Sequence, residues 1–175
     1  PMGSIAIFAV IADIGLRKKV ESVTVSRFGE LTGTRAVRAM DLLPPTRQIP
    51  TEDASKILLE SGVDGVLFMI LTDTYTETYQ TPGTSTTTGF ASVYANTVNY
   101  QGRTTYTPGT RYTKPRNKFD LKLSDLRSGD IVWISSSFTR GNAFANDSVM
   151  ADSLARSILK ELIKQRLVLP RTETK

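Results

Sequence analysis

Val63-Asp64-Gly65-Val66-Leu67-Phe68-Met69-Ile70-Leu71 is an apolar run that follows a helix stop at Gly62, and it reads as the central strand of the domain. What precedes it has the rhythm of alternating strands and helices. Thr51-Glu52-Asp53-Ala54, directly after Pro50, predicts a helix start with Thr51 or a neighbour as cap and the acidic residues favoured by the helix dipole. Ile57 and Leu58 supply its buried stripe. Further upstream, residues 34–40 alternate polar with apolar as a second strand would, closed by Leu43-Pro44-Pro45. Residues 5–11 are short, rich in β-branched side chains and apolar on both alternating faces, which suits a strand buried between helices in a parallel sheet. Between these two strands Leu16, Val20, Val23, Phe28 and Leu31 recur at helical spacing, predicting a helix over 14–32. A β-α-β-α-β series calls for parallel pairing through right-handed crossovers.

Beyond the central strand the pattern changes. From Thr72 to Lys114 the chain holds fifteen threonines and all six tyrosines, Tyr75, Tyr79, Tyr94, Tyr100, Tyr106 and Tyr112, with Pro82-Gly83 and Pro108-Gly109 as breaks. So many β-formers exclude a plain flexible linker, and so much polarity excludes a core segment. The expectation is a long β-ribbon with loops, projecting over residues 72–116. Order returns with the alternating residues 118–123, a turn over 125–130 and a last strand beginning Ile131-Val132-Trp133-Ile134, with Trp133 facing the core. Asn146 or Asp147 then caps a final helix in which Met150, Leu154, Ile158 and Leu162 line one face, and Ala151 and Ala155 permit close packing on the sheet. Phe144 is expected to pack as a lid over the core.

The fold class is therefore α/β (mixed α+β), in the order β-α-β-α-β-β-β-α, with a mixed sheet of about five strands and a Thr/Tyr-rich β-ribbon insertion. At 175 residues a single domain is expected. Residues 1–4 read as left over from cloning, and 170–175 as a polar tail.

Composition narrows the function. Cysteine and histidine are both absent, which removes disulfides, thiolate and imidazole metal ligands, the cysteine nucleophile and the commonest general base. No catalytic residue, metal or cofactor is assigned. The net charge of +5 is dispersed apart from Arg17-Lys18-Lys19 and the group Arg111, Lys114, Arg116 and Lys118, so nucleic acid is not expected as a partner. No run reaches the roughly 18 apolar residues of a membrane helix. Asp13, Asp41, Asp64, Asp73 and Asp125 fall near strand ends or turns, where capping and turn formation explain them without chemistry. An alternative ligand site is the loop after strand one, where Gly15, Arg17, Lys18 and Lys19 stand at a helix N-terminus suited to an anion. It matches neither a P-loop nor a dinucleotide fingerprint.

The element order, Leu42-Leu43-Pro44-Pro45, the segment 60–67, Ser128-Gly129-Asp130-Ile131-Val132-Trp133 and Asp152-Ser153-Leu154-Ala155 resemble small bacterial cell-envelope lipoproteins whose α/β domain is similar to the N-terminal domain of TolB, most of them without an assigned activity. The resemblance implies export, a lipidated cysteine ahead of residue 5, a location in the periplasm tethered to the outer membrane, membrane association only through that anchor, and homo-oligomers or other envelope proteins as partners. Tyrosine offers large amphipathic contact area, and an extended ribbon offers strand edges. The six tyrosines are thus the expected interaction surface. A membrane-inserting hairpin is the reading disfavoured here, because threonine dominates the alternate positions and Phe90, Tyr94 and Val98 make only a short apolar row.

Overall fold

A computed structural model describes residues 1–94, 97–140 and 146–171. Its main sheet has the strand order β2-β1-β3-β6-β7, built from β1 (Ser4–Val10), β2 (Arg35–Arg38), β3 (Gly65–Gln80), β6 (Arg111–Asp125) and β7 (Ile131–Arg140). β1 runs parallel to both β2 and β3, and β6 pairs antiparallel with β7. The helices are α1 (Ile14–Leu31), α2 (Ala39–Leu42), α3 (Thr51–Glu60) and α4 (Asp147–Lys164). A second sheet consists of β4 (Thr84–Tyr94) and β5 (Thr97–Thr107). The chain divides into two compact units, one of residues 1–75 and 115–175 and one of residues 76–114.

In the first unit the central strands show why both of their faces had to be apolar. Ile5, Ile7, Ala9, Leu67 and Met69 join one core with Phe28 of α1 and Leu154, Ile158, Leu159 and Leu162 of α4. Their neighbours in alternation, Ala6 and Val66, with Phe8 and Phe68 beside them, pack instead with Leu58 of α3, Ala39 and Leu43. Each strand is therefore sandwiched between two helical layers. The stripe expected on α4 is buried in full, and Asn146 is its cap, with Oδ1 accepting from the Val149 N–H at 3.1 Å. Because Leu159 is 0 % exposed within this cluster, Leu159→Ala should cost about 2–5 kcal/mol. Chemical denaturation would measure that as a lower midpoint at unchanged slope.

Several local expectations are corrected. The second strand ends at Arg38, and Ala39 and Met40 begin the short α2 instead. The cause is Glu21 on α1, fully buried, whose carboxylate accepts from the Met40 N–H at 3.1 Å, the Ala9 N–H at 3.1 Å and Arg17 Nε at 3.0 Å. Thr51 does not cap α3. Pro50 occupies the cap position with no side-chain bond, and Glu52 and Asp53 supply the favourable charge of the first turn. Gly62 closes α3 with φ +75°, a left-handed conformation that glycine adopts without steric cost, while the Val63 N–H donates back to the Leu58 carbonyl.

The ends of the described chain are held in this unit. The Met2 N–H donates to the Leu167 carbonyl, the Gly3 and Ser4 amides donate to Asp64 Oδ2, and Pro170 bridges to Thr32. Phe144 lies outside the described residues. Between α1 and α4, Arg27 pairs with Asp152, which Arg156 also holds at 2.9 Å. The Arg27 hydrogen bond, followed by that of Arg156, keeps the Asp152 carboxyl below its ordinary range. A carboxyl depressed by folding contributes stability above its unfolded pKa, and that contribution disappears as pH falls through the lower folded value. Asp152→Asn should therefore flatten the fall of Tm with acidification below about pH 4, a modest change because the pair is partly exposed.

Candidate functional site

Among the described residues no cluster of three or more carboxylates could hold a metal. Asp13, Asp41, Asp64 and Asp125 have structural work. Asp13 caps α1 by accepting from the Leu16 N–H at 2.6 Å, Asp64 receives Arg127 at 2.8 Å, Asp41 receives Arg38 at 2.8 Å, and Asp125 accepts from the Arg127 and Ser128 amides.

The loop after β1 is built around that same capping carboxylate. Asp13 Oδ1 would lie 3.2 Å from a Cβ at Gly15, so an acidic oxygen already occupies the α1 N-terminus. Arg17 turns to Glu21 and stacks over the Phe8 ring at 4.7 Å, Lys19 lies 3.7 Å from Asp147, and Lys18 is exposed. Arg17 also borders a cavity of about 400 Å³ whose walls include Phe8, Phe68, Leu43, Pro44 and Leu126. Gly15, Lys18 and Lys19 are not among its lining residues.

In the second unit, Thr81 and Thr110 exchange hydrogen bonds at 2.8–3.1 Å. Beside this closure Tyr79 and Tyr112 stack with ring centroids 5.5 Å apart, and Lys114 Nζ sits 4.6 and 5.3 Å from their two centroids. β4 and β5 pair antiparallel over eleven residues each, from Thr84↔Thr107 to Tyr94↔Thr97. Directly opposed residues share a face of a two-stranded sheet. One face thus carries the pairs Ser85–Tyr106, Thr87–Thr104, Gly89–Gly102, Ala91–Tyr100 and Val93–Val98, and holds no ionisable side chain other than tyrosine. Two facts place side chains on it. The Thr87 and Thr104 hydroxyls are 2.9 Å apart, and the Tyr100 side chain covers the glycine pair, its hydroxyl oxygen 2.7 Å from where a Gly89 Cβ would stand. The other face carries Thr86–Thr105, Thr88–Arg103, Phe90–Gln101 and Ser92–Asn99.

This register corrects the short apolar row read from sequence, because Phe90 and Val98 lie on opposite faces. Val98 joins Val93, Ala91 and Tyr100. Of the six tyrosines, Tyr100 and Tyr106 are two-thirds exposed on this face, and Tyr79 and Tyr112 are half-buried against each other. Tyr75 is exposed and belongs to the first unit; Tyr94 ends β4, and its side chain lies outside the description. Among the described residues β4 pairs only with β5, so each keeps one edge without a strand partner.

A second surface was missed at the level of sequence. β7 is an edge strand of the main sheet, and Val132, Ile134 and Phe138 are exposed on it while Trp133 is buried. The available signal was the apolar residue at both parities of Ile131-Val132-Trp133-Ile134, which a strand with one covered face does not need.

No family model matches the sequence, and no curated protein does. The fold is a mixed α+β one with a five-stranded sheet and a further two-stranded sheet, and solved structures are similar to it. PelC from Paraburkholderia phytofirmans, crystallised as a dodecamer, is 13 % identical with a TM-score of 0.52, over 91 % of this chain and 86 % of that one. A substituted form of the same dodecamer gives 13 % and 0.51, over 91 % and 87 %. Lipoprotein GNA1162 from Neisseria meningitidis is 15 % identical with a TM-score of 0.47, over 94 % of this chain and 98 % of that one. At such identities the PelC likeness speaks for the fold alone.

Proposed function

We propose that this chain is a non-enzymatic protein of the bacterial cell envelope that works by self-assembly through its β4–β5 ribbon. The observation that carries the reading is a pair of eleven-residue strands, exposed at every position whose side chain is described, with an edge on either side that has no strand partner among the described residues. Two open edges on one element favour association with further copies, since each edge presents backbone donors and acceptors that another strand can satisfy. PelC, whose fold this chain shares, is a dodecamer, and a closed ring is the arrangement in which every copy uses both edges. A lipid-anchored place in the periplasm at the outer membrane, and kinship with small lipoproteins resembling the TolB N-terminal domain, complete the proposal. They rest on the sequence motifs. Engagement of Asp13, Asp41, Asp64 and Asp125 in caps, turns and ion pairs supports a role without catalysis.

The chain has no cysteine, so single cysteines report contacts without interference. Copies carrying one cysteine at alternate positions of β4, mixed with copies carrying one in β5, should form disulfide-linked dimers on mild oxidation, whereas Lys56→Cys on α3 should not. Equal crosslinking at every site, or none on the ribbon, would count against assembly through it.

A further inference from the structure

We infer that the β4–β5 hairpin is a bilayer-spanning element, one of several that close into a β-barrel when copies assemble. The inference rests on the self-assembly reading and names the medium that the uncharged face meets.

Length is the first argument. Eleven residues at about 3.4 Å rise extend about 37 Å, and at a tilt of about 45° they cross about 26 Å. The apolar band of a membrane barrel is about 25 Å tall. Charge is the second. Between Thr84 and Thr107 the only charged side chain is Arg103, and it lies on the face opposite to Tyr100 and Val98. The threonines that disfavoured insertion in the sequence fall mostly on the Arg103 face, and the two on the uncharged face, Thr87 and Thr104, bond to each other. A barrel strand's division is thus present, with one face acceptable to hydrocarbon and the other facing an aqueous lumen, where Arg103, Asn99 and Gln101 are tolerated. A strand docked on another soluble protein needs no such separation over its whole length.

The base of the hairpin supplies a third, independent observation. Charged residues reappear at Glu77, Arg111 and Lys114, just outside the β4–β5 strands. At the same level the stacked Tyr79 and Tyr112 rings carry the Lys114 ammonium over their faces. Amphipathic rings with a cation beside them are what the boundary between headgroups and hydrocarbon selects. The open edges of β4 and β5 add a constraint. Unsatisfied backbone groups are too costly in hydrocarbon, so insertion requires neighbouring copies to pair edge to edge, and a lone hairpin should not insert.

The test uses the full chain and phosphatidylcholine vesicles without anionic lipid, so that net charge cannot cause adsorption. The chain is expected to float with the vesicles and release an entrapped dye. Ala91→Asp, which places a carboxylate on the uncharged face, should reduce both at least tenfold. Ser92→Asp, one residue along on the other face, should leave both close to wild type. Both sites are exposed, and an unchanged Tm in each variant removes misfolding as the cause. A chain that stays with the soluble fraction, or an Ala91→Asp variant that floats normally, overturns the inference. Light scattering without lipid separates the two readings. A multimer that forms in solution, fails to float and is dissolved by Ala91→Asp would show a protein-to-protein face, retaining self-assembly and rejecting the bilayer.

Discussion

Glu21→Ala should destabilise the folded chain by about 3–5 kcal/mol, among the largest effects of any single substitution in it. Glu21 is 0 % exposed, and its two oxygens together receive the Ala9 amide, the Met40 amide and Arg17 Nε. Removing the carboxylate leaves two backbone donors without their acceptor, and it strips Arg17, whose side chain is only 12 % exposed, of its counter-charge. The cost is more than the bonds, because the end of β1, the first half of α1 and the start of α2 are joined through this one group. Glu21→Gln should be milder, since an amide oxygen can keep part of the set. Urea unfolding of the two variants would show the order. Equal midpoints for wild type and Glu21→Ala would mean that the carboxylate does not organise this corner.

The second large effect concerns the unit of residues 76–114. Replacing Thr76–Lys114 by a short turn should leave the Tm of the remaining chain within a few degrees of wild type, because none of the replaced residues contributes to either hydrophobic core. The same replacement should abolish self-association. A large loss of stability, by contrast, would mean that the ribbon supports the sheet that carries it.

Much of the first unit was legible because its residues obey simple periods. The apolar alternate faces of Ile5-Ala6-Ile7-Phe8 and Val66-Leu67-Phe68-Met69 foretold strands covered on two sides, and the spacing of Met150, Leu154, Ile158 and Leu162 foretold the buried stripe of α4. The switch from β2 to α2 was not legible, since it depends on a carboxylate brought from Glu21, nineteen positions before Met40. The faces of the ribbon were hidden for a different reason. Threonine occupies both parities of residues 84–88, so composition shows no alternation there, and the division appears only once Val93 is set opposite Val98. On β7, apolar residues at both parities of 131–134 signalled an exposed apolar face, but which face is left uncovered depends on the strand's place in the sheet and not on the local pattern.

The most direct test of assembly through the ribbon is the solution mass by light scattering, read for the full chain and for the chain with Thr76–Lys114 replaced by a short turn. A defined multimer is expected for the first and a monomer for the second. The same mass state in both, whether monomer or multimer, would contradict it.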